Sequence, residues 1–492
     1  MKIKRVRRGK RYTLVFIALL ALCGLLLSAC TPVIVPAGPM PTDTSATDTT
    51  LAGSSDPSSS ADATADATAD NTGDSNATSQ PTDAQPTDSN ASAQPTQITT
   101  RTTATTTSTT TSPSSAAQIH GVWLSYIELE SMLSGKTPAQ AKTALAAVAA
   151  NCLSYGMTDI YYQARANSDA YYKSTILPVA AKLQTLIITD GFDPLAYLIA
   201  QAHTKNICVH AWINPYRVRT AANRLRNLPV FTDTSGALWY VPTDAGAQQL
   251  VLDGLRELLN GYAIDGVQFD DYFYPTMAGN FATTPAAGLE DAFASSGYGS
   301  VGDWRRAAVT NLMAACYALV HSKSKVFGIS PGHSVTDNYT NKYADVQCWL
   351  QQAGYCDYVC PQIYFGFNHI SSPFAALVNQ WATLATNPSV KLYIGVALYK
   401  AGLAPDRYAG TATNPAGRME WQTDPDLLKK QVQLLQSNAK VSGICFYSYT
   451  YFDAATPRSL DSWTENGATV TQTYNKTVAA EQISRMLAAL NG

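Results

Sequence analysis

The chain is short of charge. Lys, Arg, Asp and Glu make up 14% of its 492 residues, and 34 basic against 36 acidic side chains leave a formal net charge of −2. No Lys/Arg stripe breaks that balance, so nucleic acid is not an expected partner. Histidine is scarce, at 6 residues, and no His/Cys grouping has the spacing of a zinc site. The chemistry to look for therefore needs neither metal nor cofactor. No glycine-rich phosphate loop follows the first apolar strand, which counts against a doubly wound nucleotide-binding sheet. Seven cysteines (152, 208, 316, 348, 356, 360, 445) fall after residue 117, most of them in apolar runs, where buried free thiols are expected. Cys356 and Cys360 would stand roughly 13 Å apart on an extended strand, too far for a disulfide.

Seven basic residues before Tyr12 precede an apolar run from about Leu14 to Leu27, then Leu27-Ser28-Ala29-Cys30. That order of charge, short apolar core and small residues is a secretory signal, with residues 1–29 removed. A cysteine at this point resembles a bacterial lipobox, which makes Cys30 the expected lipid-bearing N-terminus and membrane lipid a partner. Residues 30–117 are Thr, Ser, Ala, Asp, Pro, Gln and Asn with one basic residue, Arg101, and almost no large apolar side chain. Such a segment cannot bury enough surface to offset ordering its backbone, so a disordered tether is expected. Residues 118–492 remain as the folded, extracytoplasmic domain.

Eight apolar, β-rich segments recur there: 120–127, 158–163, 207–213, 264–270, 326–330, 358–364, 392–398 and 442–449. Helical patterns lie between them. Asp193-Pro194 and Asp424-Pro425 each look like an N-cap and first turn, and Ala308, Leu312, Cys316 and Leu319 form an apolar stripe. Eight alternations of strand and helix predict a (β/α)₈ TIM barrel. The strand C-termini end in polar and aromatic groups: Tyr126 and Glu128; Gln163 and Arg165; His210, Trp212, Asn214 and Tyr216; Asp270 and Asp271; Ser330 and His333; Gln362 and Tyr364; Tyr399; Tyr447 and Tyr449. In a barrel these ends meet on one face, and rings with amides and few charges suit a sugar.

Asp265-Gly-Val-Gln-Phe-Asp270-Asp271-Tyr-Phe-Tyr-Pro275 carries the chemistry. Period-two alternation turns Gln268 and Asp270 inward, and Asp271 comes where the strand ends. Two carboxylates this close do not both ionise cheaply, so one tends to keep its proton and can act as an acid. Adjacent residues do not fit the usual pair standing roughly 5–9 Å apart across the scissile bond. Two arrangements stay open. In one, a 2-acetamido group of the sugar is the nucleophile, oriented by Asp270, with Asp271 as acid/base. In the other, one aspartate works against Asp169, Glu128, Asp337 or Asp453. Asp265 and Asp357, at strand starts, read as structural caps, and His203 and His321 as helix residues.

Strings in one order across residues 119–450 resemble the bacterial family-10-like glycosyl hydrolases. They are Gly121-Val-Trp-Leu, Tyr161-Tyr-Gln-Ala-Arg165 with Ser168-Asp169-Ala-Tyr171, Asp193-Pro-Leu, His210-Ala-Trp-Ile-Asn-Pro-Tyr-Arg217, the Asp265–Pro275 stretch, Asp303-Trp-Arg-Arg306, Phe327-Gly-Ile-Ser-Pro331 and Asp357-Tyr-Val-Cys-Pro-Gln-Ile-Tyr364. The resemblance implies a glycan-cleaving enzyme, and the family includes lipoproteins acting on peptidoglycan strands stripped of stem peptides. Arg165, Asn214, Tyr216, Gln362 and Tyr364 match these strings and are expected in the binding shell, with Asp169, His210, Trp212, Gln268 and Tyr449 beside them. Gln268 stands where many relatives carry His, and Gly332-His-Ser-Val after Pro331 also departs from the pattern. The rival expectations are hydrolysis of another polysaccharide, such as an α-glucan, and a non-catalytic glycan-binding lipoprotein.

Overall fold

The computed structural model describes residues 118–492 except 276, 278–280, 282 and 412. The expected signal, Cys30 and the tether lie outside the described residues.

Eight parallel strands close into a barrel: β1 Ile119–Leu124, β2 Asp159–Arg165, β3 Cys208–Ile213, β4 Gly266–Phe269, β5 Val326–Ile329, β6 Tyr358–Val359, β7 Lys391–Ala397 and β8 Val441–Tyr447. Each strand pairs with its sequence neighbours, and β1 closes the ring against β8. Every crossover contains a helix. These include α1 Tyr126–Leu133 and α2 Pro138–Ser154 before β2, α3 Pro194–His203 before β3 and α4 Ala245–Gly261 before β4. On the far side α5 Val301–His321 precedes β5 and α6 Val335–Thr340 precedes β6. Then come α7 Phe374–Leu384 before β7 and α8 Leu427–Ser437 before β8, with α9 Lys476–Asn491 closing the chain.

Alternation along the strands makes two apolar layers. Val122, Ile160, Val209, Val267 and Phe327 face outward into the main core beneath the helices. Trp123, Tyr161, Trp212, Tyr358, Cys360 and Cys445 face inward and fill the barrel axis. Rings this large fit only because glycine stands beside them. A methyl group on Gly328 would fall within the Tyr358 ring, and one on Gly266 would overlap His210 Nδ1.

The structure moves several expected boundaries. β1 stops at Leu124 because Ser125 and Glu128 form a capping box: Glu128 N donates to Ser125 Oγ (3.4 Å) and Ser125 N to Glu128 Oε2 (2.6 Å). Asp193 caps α3 as expected, accepting from Ala196 N at 3.1 Å. Asp424 does not cap α8, whose N-cap is Asp426; Asp424 instead accepts Asp426 N (3.0 Å) and Lys430 Nζ (2.7 Å). β6 is two residues long, since Pro361 has no N–H to continue the ladder. Beyond it Gln362 makes isolated bridges to Gly332 and Gly395.

Two loops at the strand C-termini are enlarged. The one after β3 forms a small antiparallel sheet of Arg217–Arg219, Leu238–Tyr240 and Val230–Thr232. The one after β4 is fastened by the fully buried Arg305–Glu290 pair, with Arg305 over Phe281 (3.8 Å) and donating to Tyr343 OH (2.8 Å).

Candidate active site

At the C-terminal end of the barrel a pocket of about 490 Å³, counted to its open mouth, is lined by Trp123, Trp212, Asp270, Asp271, Tyr272, Ser330, Gln362, Tyr364, Tyr399 and Tyr447. Each comes from a strand end or the residues just past it. Trp123 and Trp212 are the last inward positions of β1 and β3. Asp270 follows β4 in the Gln268 face, and Tyr447 ends β8.

Asp270 is 2% exposed. Trp212 Nε1 donates to its Oδ2 at 2.8 Å and Tyr272 N to its Oδ1 at 3.3 Å. Burial, and then the charge of Asp271 beside it, pushes the Asp270 carboxyl well above the usual carboxylate range, despite the opposing pull of the indole, the Tyr272 N–H and Arg217. Asp271 is less buried, and Gln362 Nε2 approaches its Oδ1 at 3.5 Å. Gln362 is itself held by Ser330 O at 3.1 Å. Burial also raises the phenols of Tyr364, Tyr399 and Tyr447, which leaves them as neutral hydroxyls. Tyr364 and Tyr447 stack at 5.7 Å, with Tyr399 edge-on to both. Tyr272 stacks on Trp239 (5.5 Å), and the Arg217 guanidinium lies over its ring (4.9 Å).

The pocket brings together five of the residues expected to act on or bind the sugar, Asp270, Asp271, Trp212, Gln362 and Tyr364, with three more of the strand-end groups, Ser330, Tyr399 and Tyr447. Seven others fall elsewhere. Gln268 lies one layer below, accepting from Trp123 Nε1 (2.6 Å) and donating to Tyr358 OH (3.1 Å), so it supports the floor. His210 sits deeper, bonded through Nε2 to Asp159 Oδ1 at 2.8 Å, because two residues before Trp212 on the inward face is one layer down the axis. Asn214 is fully buried and accepts from Gln163 Nε2 at 3.0 Å. Tyr216 is fully buried in the outer core. Arg165 is turned out of line with Gln163 by a register shift between the two, and is 2% exposed. Asp169 closes a turn by accepting Asn167 N at 2.8 Å. Tyr449 has left the strand for a short 3₁₀ turn, and its hydroxyl accepts from Asn151 on α2 at 3.0 Å.

The alternative carboxylates are also committed. Glu128 accepts Ser125 N and Oγ, Ser448 Oγ (2.8 Å), Thr450 N (2.7 Å) and Thr450 Oγ1 (2.9 Å), tying α1 to the turn after β8. Asp337 takes Asn341 Nδ2 at 2.6 Å, and Asp453 takes Ala455 N at 2.7 Å. His333 lies against Phe365 at 4.5 Å, outside the pocket lining. Trp123 and Tyr272 were not singled out from sequence. The inward parity of Trp123, two residues past Gly121, was the available signal for the first.

The family described as glycosyl hydrolase-like 10 matches residues 118–409. Glycosyl hydrolase YngK of Bacillus subtilis (strain 168) is 32% identical over 274 residues, 50% of this chain and 53% of that protein. The match thus spans about half the length of that relative. Glycosyl hydrolase DigH of Escherichia coli (strain K12) is 29% identical over 339 residues, 61% of this chain and 73% of that one. Among solved structures, the glycoside hydrolase domain of PgaB (BpsB) from Bordetella bronchiseptica has a TM-score of 0.42 and 13% identity, over 69% of this chain and 96% of that domain. That likeness is too distant to bear on chemistry. Matched over well more than half its length, from the first barrel strand to beyond the seventh, the chain belongs to the glycosyl hydrolase-like 10 family.

Proposed function

We propose that the chain hydrolyses glycosidic bonds in N-acetylated cell-wall glycan, with Asp270 and Asp271 as its catalytic carboxylates. One observation carries this: those two are the carboxylates among the ten residues lining the pocket. A polysaccharide substrate is what family membership implies.

The adjacency of the pair favours participation by the substrate. The acetamido oxygen attacks the anomeric carbon as the bond to the leaving oxygen breaks, and Asp271 at the mouth protonates that oxygen. The amide nitrogen becomes more acidic as the ring closes. With sugar bound, the proton shared by the pair sits on Asp271, and the ionised Asp270, whose proton affinity burial has raised, is then a strong acceptor for that N–H. Water then adds at the anomeric carbon and returns a proton to Asp271. Trp123, Trp212, Tyr364, Tyr399 and Tyr447 supply apolar ring faces and neutral hydroxyls around the sugar. The proposal includes a lipid on Cys30, with residues 30–117 as tether, on the strength of the Leu-Ser-Ala-Cys30 string.

Mass spectrometry of products from stem-stripped peptidoglycan, before and after chemical N-deacetylation, tests the mechanism. Release from the N-acetylated strands alone is expected. Equal turnover of both would remove the acetamido group from the mechanism and reopen other polysaccharides as substrates.

A further inference from the structure

Behind the pocket, in the outer layer, Arg165 is buried with no partner. Its Nε, Nη1 and Nη2 all lack a hydrogen bond, and so does the fully buried Tyr216 hydroxyl. Tyr240, Tyr172, Asp169 and Tyr216 are the ionisable groups acting on this guanidinium. None of the tyrosines balances it. Tyr172 OH donates to Glu257 (2.9 Å), and Tyr240 OH is shared with Ser168 Oγ (2.9 Å) and Leu225 N (2.9 Å). The Asp169 carboxylate is turned to Asn167 N at 2.8 Å and makes no ion pair with Arg165. A buried cation with all five of its N–H donors unused is strongly unfavourable unless something negative or strongly polar meets it.

We propose that Arg165 and the Tyr216 hydroxyl hold a small monovalent anion of halide size where the residues following β2 and β3 bury them. The residues around it restrict what can enter. Arg165, Asp169, Tyr172, Tyr216 and Tyr240 are each 8% exposed or less, which excludes a sugar carboxylate or a phosphate ester attached to anything larger. All four unpartnered atoms are donors, or in the case of the tyrosine can be one, so the chemistry selects an acceptor without protons of its own. Chloride and bromide shed water more easily than fluoride, which suits a site sealed by aromatic rings. The anion would join the turn at Ala166–Ala170 to the segment that continues from Tyr216 into Arg217, whose guanidinium packs on the pocket wall at Tyr272.

The test is thermal unfolding of the full chain in sodium chloride, bromide and gluconate at matched ionic strength, with anomalous diffraction from crystals grown in bromide. The midpoint should rise by about 1–3 °C for each tenfold increase in chloride or bromide above the dissociation constant, and stay flat in gluconate. A bromide peak should lie against the Arg165 guanidinium. Tyr216→Phe should need about tenfold more halide for the same rise. Arg165→Met should abolish the dependence; should that variant not fold, Tyr216→Phe and the bromide map carry the result. Equal midpoints in all three salts, or a halide effect with no bromide density at Arg165, would overturn the proposal and leave water as the partner of the guanidinium.

Discussion

On the β4–β8 side of the barrel mouth, strand ends deliver Asp270, Asp271, Ser330, Gln362, Tyr364, Tyr399 and Tyr447 to the pocket; on the β1–β3 side the pocket receives only the rings Trp123 and Trp212. The polar residues at those first three ends are sealed instead. Glu128 is saturated by the turn after β8, Gln163 and Asn214 bond each other, and Arg165 and Tyr216 are packed outside the strands. Position at a strand's C-terminus is therefore not sufficient for access to substrate. What separates the halves is whether the next residues leave the mouth open or fold across it as a cap, a bulge or an added sheet.

The comparison predicts that changes on the sealed side act on stability and those on the open side act on chemistry. Glu128→Ala should show the largest stability effect, about 3 kcal/mol in denaturant unfolding, because it strands the Ser448 and Thr450 donors in a buried place. An unchanged denaturation midpoint would break the assignment of Glu128 as an anchor.

Asp270→Asn should do the reverse. Burial and Asp271 keep a proton on Asp270 in the folded state above the pH at which the unfolded chain releases it. Wild-type stability from this group is therefore present below the unfolded carboxylate value, about 3.9, and is lost as pH rises toward the raised folded value. Asparagine carries no such loss, so the variant's stability advantage should grow between pH 4 and pH 8. A constant difference in melting temperature across that window would contradict the burial account.

Tyr449→Phe should have the smallest effect. Losing the bond from Asn151 at a partly exposed site should cost about 0.5 kcal/mol and leave kcat/KM unchanged. A tenfold drop in kcat/KM would return Tyr449 to the substrate.

The barrel itself was legible because period-two alternation survives along most of its strands and the helices between them carry caps such as Asp193. The aspartate pair was legible for the same reason: parity from Val267 and Phe269 aims Asp270 inward. Three features were not. The register shift after Gln163 inverts the facing of Arg165 and leaves no trace in residue type. Depth along the axis is invisible to alternation, which is how His210 and Gln268, facing inward as expected, ended beneath the pocket. The capping box at Ser125 and Glu128 was present in the sequence, but it overlapped an apolar run that read equally well as strand.

The most direct measurement is release of new reducing ends from stem-stripped peptidoglycan by wild type, Asp270→Asn and Asp271→Asn, each checked for folding by its melting temperature. Wild type should release reducing ends steadily, and both folded variants should lose 10²-fold or more of that rate, on the order expected when an acid/base group is removed. Near-wild-type release by Asp271→Asn would contradict the catalytic role of the pair.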